Sequence, residues 1–188
     1  MFFLPKRVVA LLILLFFTCA ENDWVQASAD PKSDREKEAE ALYRQYGYTS
    51  VEKAKADCEK KFGSTMPLPR SKPKVSFTHA YGRCNFNEKD PMNNELELEY
   101  IHMHQSGHHY KVEVRPVEYK IRSSYPERMR TVSLHNGSKA EFWITPGIRG
   151  FYVLFFDKYQ WQYIVSVDKR IGTNTPEKLL TEIADSLE

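Results

Sequence analysis

Four histidines crowd the stretch His102-Met103-His104-Gln105-Ser106-Gly107-His108-His109, and with His79 they make five of the six in the chain. Imidazole is a common metal ligand and the side chain that changes charge near neutral pH. On a strand, His102 and His104 share one face. A three-residue turn at Gln105-Ser106-Gly107, with Gly107 left-handed, would set His108 opposite His104, so that His102, His104 and His108 could converge on zinc or copper. In that register Leu98 faces Val114, Tyr100 faces Val112 and His102 faces Tyr110. No carboxylate or cysteine stands nearby as an obvious fourth ligand, so solvated or packed histidines, or a pH-responsive patch, are the competing readings.

Aromatic residues form a second concentration, with Phe142, Trp143, Phe151, Tyr152, Phe155, Phe156, Tyr159, Trp161 and Tyr163 close together near the carboxy terminus. The stretch 151–156 is apolar on both faces, which for a strand means cover on both sides or one face lining a groove. Tyr152, Phe156 and Trp161 are the candidate lining of such a groove, and core packing is the plainer alternative. Cys58 and Cys84 form an even pair, to be read either as a disulfide worth about 3 to 4 kcal/mol or as two buried thiols. Cys84 with His79 is a conceivable thiol and base, although a disulfide would consume that thiol. The sequence contains no GxSxG, HExxH, phosphate-cradling glycine loop or dinucleotide-binding glycines; with no such motif, the expectation is a non-enzyme that needs no cofactor. Arg70, Lys72, Lys74, Lys169 and Arg170 are loop cations that could touch anionic polymers. Asn136-Gly137-Ser138 is both a glycosylation sequon and a hairpin-turn signal.

The elements that must position these residues can be read from periodicity. Ser33 and Glu36 form a capping box, with Ala39, Leu42, Tyr43 and Tyr46 at helical spacing up to Gly47. Thr49 and Glu52 form a second box, followed by Val51, Ala54, Cys58 and Phe62 on one stripe and by Gly63 as the stop. Three prolines in 66–74 forbid a helix or central strand there. The period then becomes two, predicting strands over 75–81, 96–104, 110–121, 131–134, 139–145, 151–156 and 161–167. Thr175-Pro176 opens a last helix whose apolar stripe is Leu179, Leu180, Ile183, Ala184 and Leu187. The fold class expected is α+β: N-terminal helices, a curved antiparallel β-meander and a C-terminal amphipathic helix packed on the sheet, with the helices on one face.

At the amino terminus, Lys6 and Arg7 precede an apolar run over 8–17, the pattern of a secretory signal peptide and too short for the roughly 20 residues that span a bilayer. Ala27-Ser28-Ala29 places small residues where a leader peptidase reads, predicting a signal peptide over 1–29, an N-terminal helical extension over 30–48 and a single α+β domain over 49–188. Cys19 offers an alternative as a lipidated cysteine, although Phe16 and Thr18 suit that site poorly. Lys and Arg number 27 against 25 Asp and Glu, a net charge of +2, which argues against nucleic acid as a partner.

The strand Trp161-Gln162-Tyr163-Ile164, the helix opening Thr175-Pro176-Glu177-Lys178-Leu179-Leu180 and its ending Ile183-Ala184-Asp185-Ser186-Leu187 resemble the close of an uncharacterised extracytoplasmic domain family of Gram-positive spore-formers. The helix over 51–62 followed by Pro67-Leu68-Pro69 is similar to that family's start, so the resemblance spans 50–187. Its members occur as lipoproteins or as outer domains of anti-sigma-like membrane regulators, which implies an extracytoplasmic α+β domain and names no chemistry. The expectation is a secreted or cell-surface non-catalytic binding or accessory domain whose partner is a cell-envelope protein. Membrane contact would come only through the signal peptide or a lipid anchor. A carrier of an apolar or lipid ligand in the concave face of the sheet is the first alternative, and a metal-binding histidine hairpin the second.

Overall fold

The computed structural model describes residues 33–187 except 124, 148, 149 and 172. The expected signal peptide, its cleavage site after Ala29 and Cys19 lie outside the described residues. Three helices, α1 (Asp34–Gln45), α2 (Val51–Phe62) and α3 (Pro176–Asp185), accompany seven strands: β1 (His79–Asn85), β2 (Glu95–Ile101), β3 (His109–Pro116), β4 (Met129–Ser133), β5 (Lys139–Ile144), β6 (Phe151–Lys158) and β7 (Trp161–Asp168). Every pairing is antiparallel, and the strand order is β1-β2-β3-β7-β6-β5-β4. The sheet is thus two meanders, one of three strands and one of four, joined where β7 returns to lie beside β3. The α+β class holds.

Local chemistry explains most element ends. Ser33 caps α1 in a full capping box with Glu36, and Gly63 ends α2 in the left-handed conformation. α2 departs from expectation at its start, because Ser50, not Thr49, accepts the Lys53 N–H; Thr49 is instead bridged to β1. β1 begins at His79 rather than 75, after the proline-rich connector turns once more with Val75 N–H donating to Pro73 O. β3 stops at Pro116, which fixes φ, and Val117–Tyr119 is a single 3-10 turn in place of the expected strand through 121.

The β2–β3 hairpin differs from the expected one. Leu98 faces Val112 and Tyr100 faces Tyr110, two residues away from the predicted register. The loop is longer, running over 102–108, and Gly107 is not left-handed. A Cβ on Gly107 would meet Arg170 Cβ at 2.8 Å, so this glycine serves close packing, not turn geometry. Because the shift is by two residues, every side chain keeps its face.

One face of the sheet carries the core. Leu96, Leu98, Val112, Val114, Leu154, Phe156, Tyr163, Val165 and Val167 are buried beneath α2 and α3, which contribute Ala54, Cys58, Leu180, Ile183 and Ala184. α2 comes so close that a Cβ on Gly82 would stand 2.7 Å from Ala54 Cβ. The disulfide Cys58–Cys84, with Cα atoms 5.4 Å apart, ties α2 to β1 at the same contact. The helices do not all share this face. α1 lies on the other one, its Tyr43 ring stacked on Tyr81 at 4.1 Å.

Candidate functional site: the open face of the sheet

Alternation within each strand assigns residues to the face opposite α2 and α3. From β1 to β3 that face is ionic. Glu95, Glu97 and Glu99 of β2 stand beside Arg83 of β1 and Lys111, Glu113 and Arg115 of β3. Arg83 reaches Glu97 at 2.6 Å, Lys111 reaches Glu97 at 3.1 Å, Glu113 at 3.4 Å and Glu99 at 3.5 Å, and Arg115 binds Glu95. Burial and crowding decide how each carboxylate behaves. At Glu99 burial pushes the pKa up, but the nearby His109 ring, the Tyr43 hydrogen bond and the Lys111 charge outweigh it and hold it at about 2. At Glu95 burial wins over Arg115, and the like charges of Glu113 and Glu97 add to it, so this carboxyl is shifted up. Lys111, depressed by burial, is carried above its usual value by its three glutamates. The strict alternation of acid and aliphatic in Glu95-Leu96-Glu97-Leu98-Glu99 carried this ladder in the sequence, and the sequence analysis did not single it out.

α1 straps the β1–β2 corner of this face without burying a single residue of its own. Glu36 meets His104 Nε2 at 3.2 Å, Glu40 meets His79 Nε2 at 3.0 Å, and Tyr43 donates to Glu99 at 2.9 Å. These contacts account for much of the histidine cluster. His102, His104 and His108 stand in the loop beyond β2, not on strands. Their rings are neighbours, with centroids 6.1 Å (102 to 104) and 5.7 Å (102 to 108) apart. Their nitrogens serve separate partners, however: His102 Nδ1 accepts the His104 N–H, His104 faces Glu36, and His108 Nδ1 faces Ser76 O. A carboxylate does stand nearby, Glu36, brought in from α1. Among the described residues no group of three His, Cys, Asp or Glu is placed to hold a metal ion.

The other half of the open face carries an apolar strip. Trp143, Phe151, Val153, Phe155 and Ile164 come together across β5, β6 and β7. Beside them lies a cleft of about 600 Å³. Its floor is Phe155, Met129 and Thr131, and its wall is Lys120, Ile121, Arg122, Ser123 and Pro126. That wall is pinned by one side chain: Gln162 accepts from Ile121 N–H at 2.8 Å and donates to Ile121 O at 2.9 Å. Lys120 pairs with Asp157 at 2.9 Å on the rim, whereas Arg122 and Glu141 make no ion pair among the described residues. The Trp143 Nε1 donor is buried and has no partner among them.

Of the residues proposed from sequence as a groove, Phe156 also borders this cleft, whereas Tyr152 and Trp161 do not. Tyr152, Phe156 and Trp161 share the helix-covered face, because Phe156 faces Tyr163 and Lys158 faces Trp161 in the β6–β7 register. Phe156 is 3% exposed and stacks on Tyr163; Trp161 is 2% exposed and donates to Thr65 O. They are core, with Tyr152 half-buried at its margin. Cys84 is in the disulfide, so it offers His79 no thiol. Three of the loop cations, Lys72, Lys169 and Arg170, are also occupied. Arg170 clamps Asp168 and Ser106, Lys169 reaches Gly147 O, and Lys72 lies over the Tyr100 ring at 4.2 Å. Asn136 Oδ1 accepts from Ser138 N–H and Oγ–H within the β4–β5 turn.

Comparison with protein-family models, curated proteins and solved structures finds no match to this chain. The resemblance of 50–187 to the extracytoplasmic domains of spore-formers therefore rests on its residues alone.

Proposed function

We propose that the chain is a non-catalytic binding domain that works outside the cytoplasm and meets a partner protein with the open face of its sheet. The observation that carries this reading is the cleft beside the apolar strip of Trp143, Phe151, Val153 and Phe155, with Arg122 and Glu141 at its rim in no ion pair among the described residues. An apolar centre with a polar margin is the anatomy of a protein-binding patch. The compartment is supported by the leader-like amino terminus and by the Cys58–Cys84 disulfide, which persists where conditions are oxidising. The non-catalytic reading is supported by the ionic half of the face, where Glu95, Glu97 and Glu99 are paired with Arg or Lys, Tyr43 also donates to Glu99, and none stands beside a nucleophile it could activate among the described residues. An apolar carrier would have to use this cleft as well, since Tyr152, Phe156 and Trp161 are committed to packing.

A photo-reactive amino acid placed at Phe155 or Arg122, with Lys60 of α2 and Lys178 of α3 as controls, tests the face in living cells. Discrete protein adducts from the first two positions and none from the controls are expected. Adducts of the same pattern from all four positions would overturn the proposal.

A further inference from the structure

The two edges of the sheet are finished differently. On the outer side of β1, Thr49 N–H donates to Gly82 O at 2.7 Å and Gly82 N–H returns a bond to Thr49 O at 2.9 Å, so that edge is covered. β4 ends the sheet at the other side, and no described residue pairs with its outer edge. The hairpin shows which groups are free. Leu134 N–H donates to Ser138 O and Gly137 N–H to Leu134 O, which makes 134 and 138 a hydrogen-bonded pair. Stepping by two along the register, Val132 with Ala140 and Arg130 with Phe142 are bonded pairs too. The N–H and C=O groups of Met129, Thr131 and Ser133 therefore point away from β5. The edge is guarded only by its shortness and by one charge: Met129–Ser133 contains no proline or glycine, and Arg130 is turned to the helix side and bound to Glu177.

These outward groups are symmetric about Thr131. When two antiparallel copies of β4 are related by a twofold axis through that residue, Thr131 opposes Thr131, Met129 opposes Ser133 and Arg130 opposes Val132. All the outward groups then find partners, about six hydrogen bonds in all, and no charge sits directly opposite a like charge. We propose that β4 is a self-pairing edge, to which a second copy of the chain adds its own β4 so that the two seven-stranded sheets become one. The interface is isologous and closes as a dimer. Two five-residue strands bury less than the roughly 1,000 Å² of a stable complex, so the dimer is weak and concentration-dependent. Met129 and Thr131 also line the cleft, so pairing brings the clefts of both copies to the axis.

Sedimentation velocity of the disulfide-intact chain over about a hundredfold range of concentration tests this. The expected result is a shift from monomer to twice the mass. Thr131 is exposed and its side chain makes no hydrogen bond among the described residues, so its replacement spares the fold, which circular dichroism checks. Thr131→Lys sets like charges against each other across the axis and holds the chain monomeric, as does Thr131→Glu, whereas an equal mixture of the two variants recovers the dimer. A wild-type chain monomeric throughout, a dimer unmoved by Thr131→Lys, or a mixture that stays monomeric overturns the proposal.

Discussion

Glu99 is the residue at which the two halves of this molecule's electrostatics meet. It accepts from Tyr43 of α1 and lies beside His109 and Lys111 of β3. Its carboxyl is held at about 2, below the ordinary carboxylate range. A depressed acid contributes stability above its unfolded pKa and loses it as pH falls through the folded one. Its contribution, on the order of 2 to 3 kcal/mol, is therefore full at neutral pH and drains away between about pH 4.5 and pH 2. Glu95, shifted the other way, contributes with the opposite sign in acid and flattens the profile. Glu99→Gln should lower the neutral-pH denaturation midpoint and make the variant's loss of stability through that acid window shallower than wild type's. Parallel profiles for the two chains would show that the ladder does not anchor α1 in this way.

At the scale of elements, α2 and β1 pack closely, and Gly82 permits it. Gly82→Ala forces a methyl against Ala54 Cβ and the Val51 backbone, at 2.7 and 3.1 Å. Overpacking of this kind costs about 1 to 3 kcal/mol, to be read from the denaturant midpoint with the disulfide intact; an unchanged midpoint would mean that α2 rides freely on the sheet. Elements were also what the sequence conveyed best. Periods of two and 3.6, the Ser33–Glu36 box, Gly63, the Asn136-Gly137 turn and the stripe of α3 located three helices and seven strands. Pairing was harder to read. That β7 returns beside β3 is a long-range choice no local pattern encodes, and it puts Phe156 and Trp161 under helices. The histidine hairpin misled because its geometry assumed a short turn, while the loop over 102–108 points each ring to a different partner. α1 was expected on the core side, yet its Glu36, Glu40 and Tyr43 suit the other face, where His104, His79, Tyr81 and Glu99 receive them.

For the whole molecule, the asymmetry between the two faces is the organising fact. One face is sealed by α2, α3 and a disulfide. The other is half strapped by α1, half open over a cleft of mixed polar and apolar lining. The most direct measurement of whether that open half is the working surface is co-purification from native envelopes under mild detergent-free conditions, with quantitative mass spectrometry of what is recovered. Phe155→Lys sets a charge at the centre of the cleft without entering the core, and Lys60→Glu reverses a charge on exposed α2 as the matched control. Loss of the specifically recovered partner by at least about tenfold in Phe155→Lys, with full recovery in Lys60→Glu, is the result predicted, since disrupting a central interface anchor costs about 2 kcal/mol or more. Equal recovery by wild type and Phe155→Lys would contradict it.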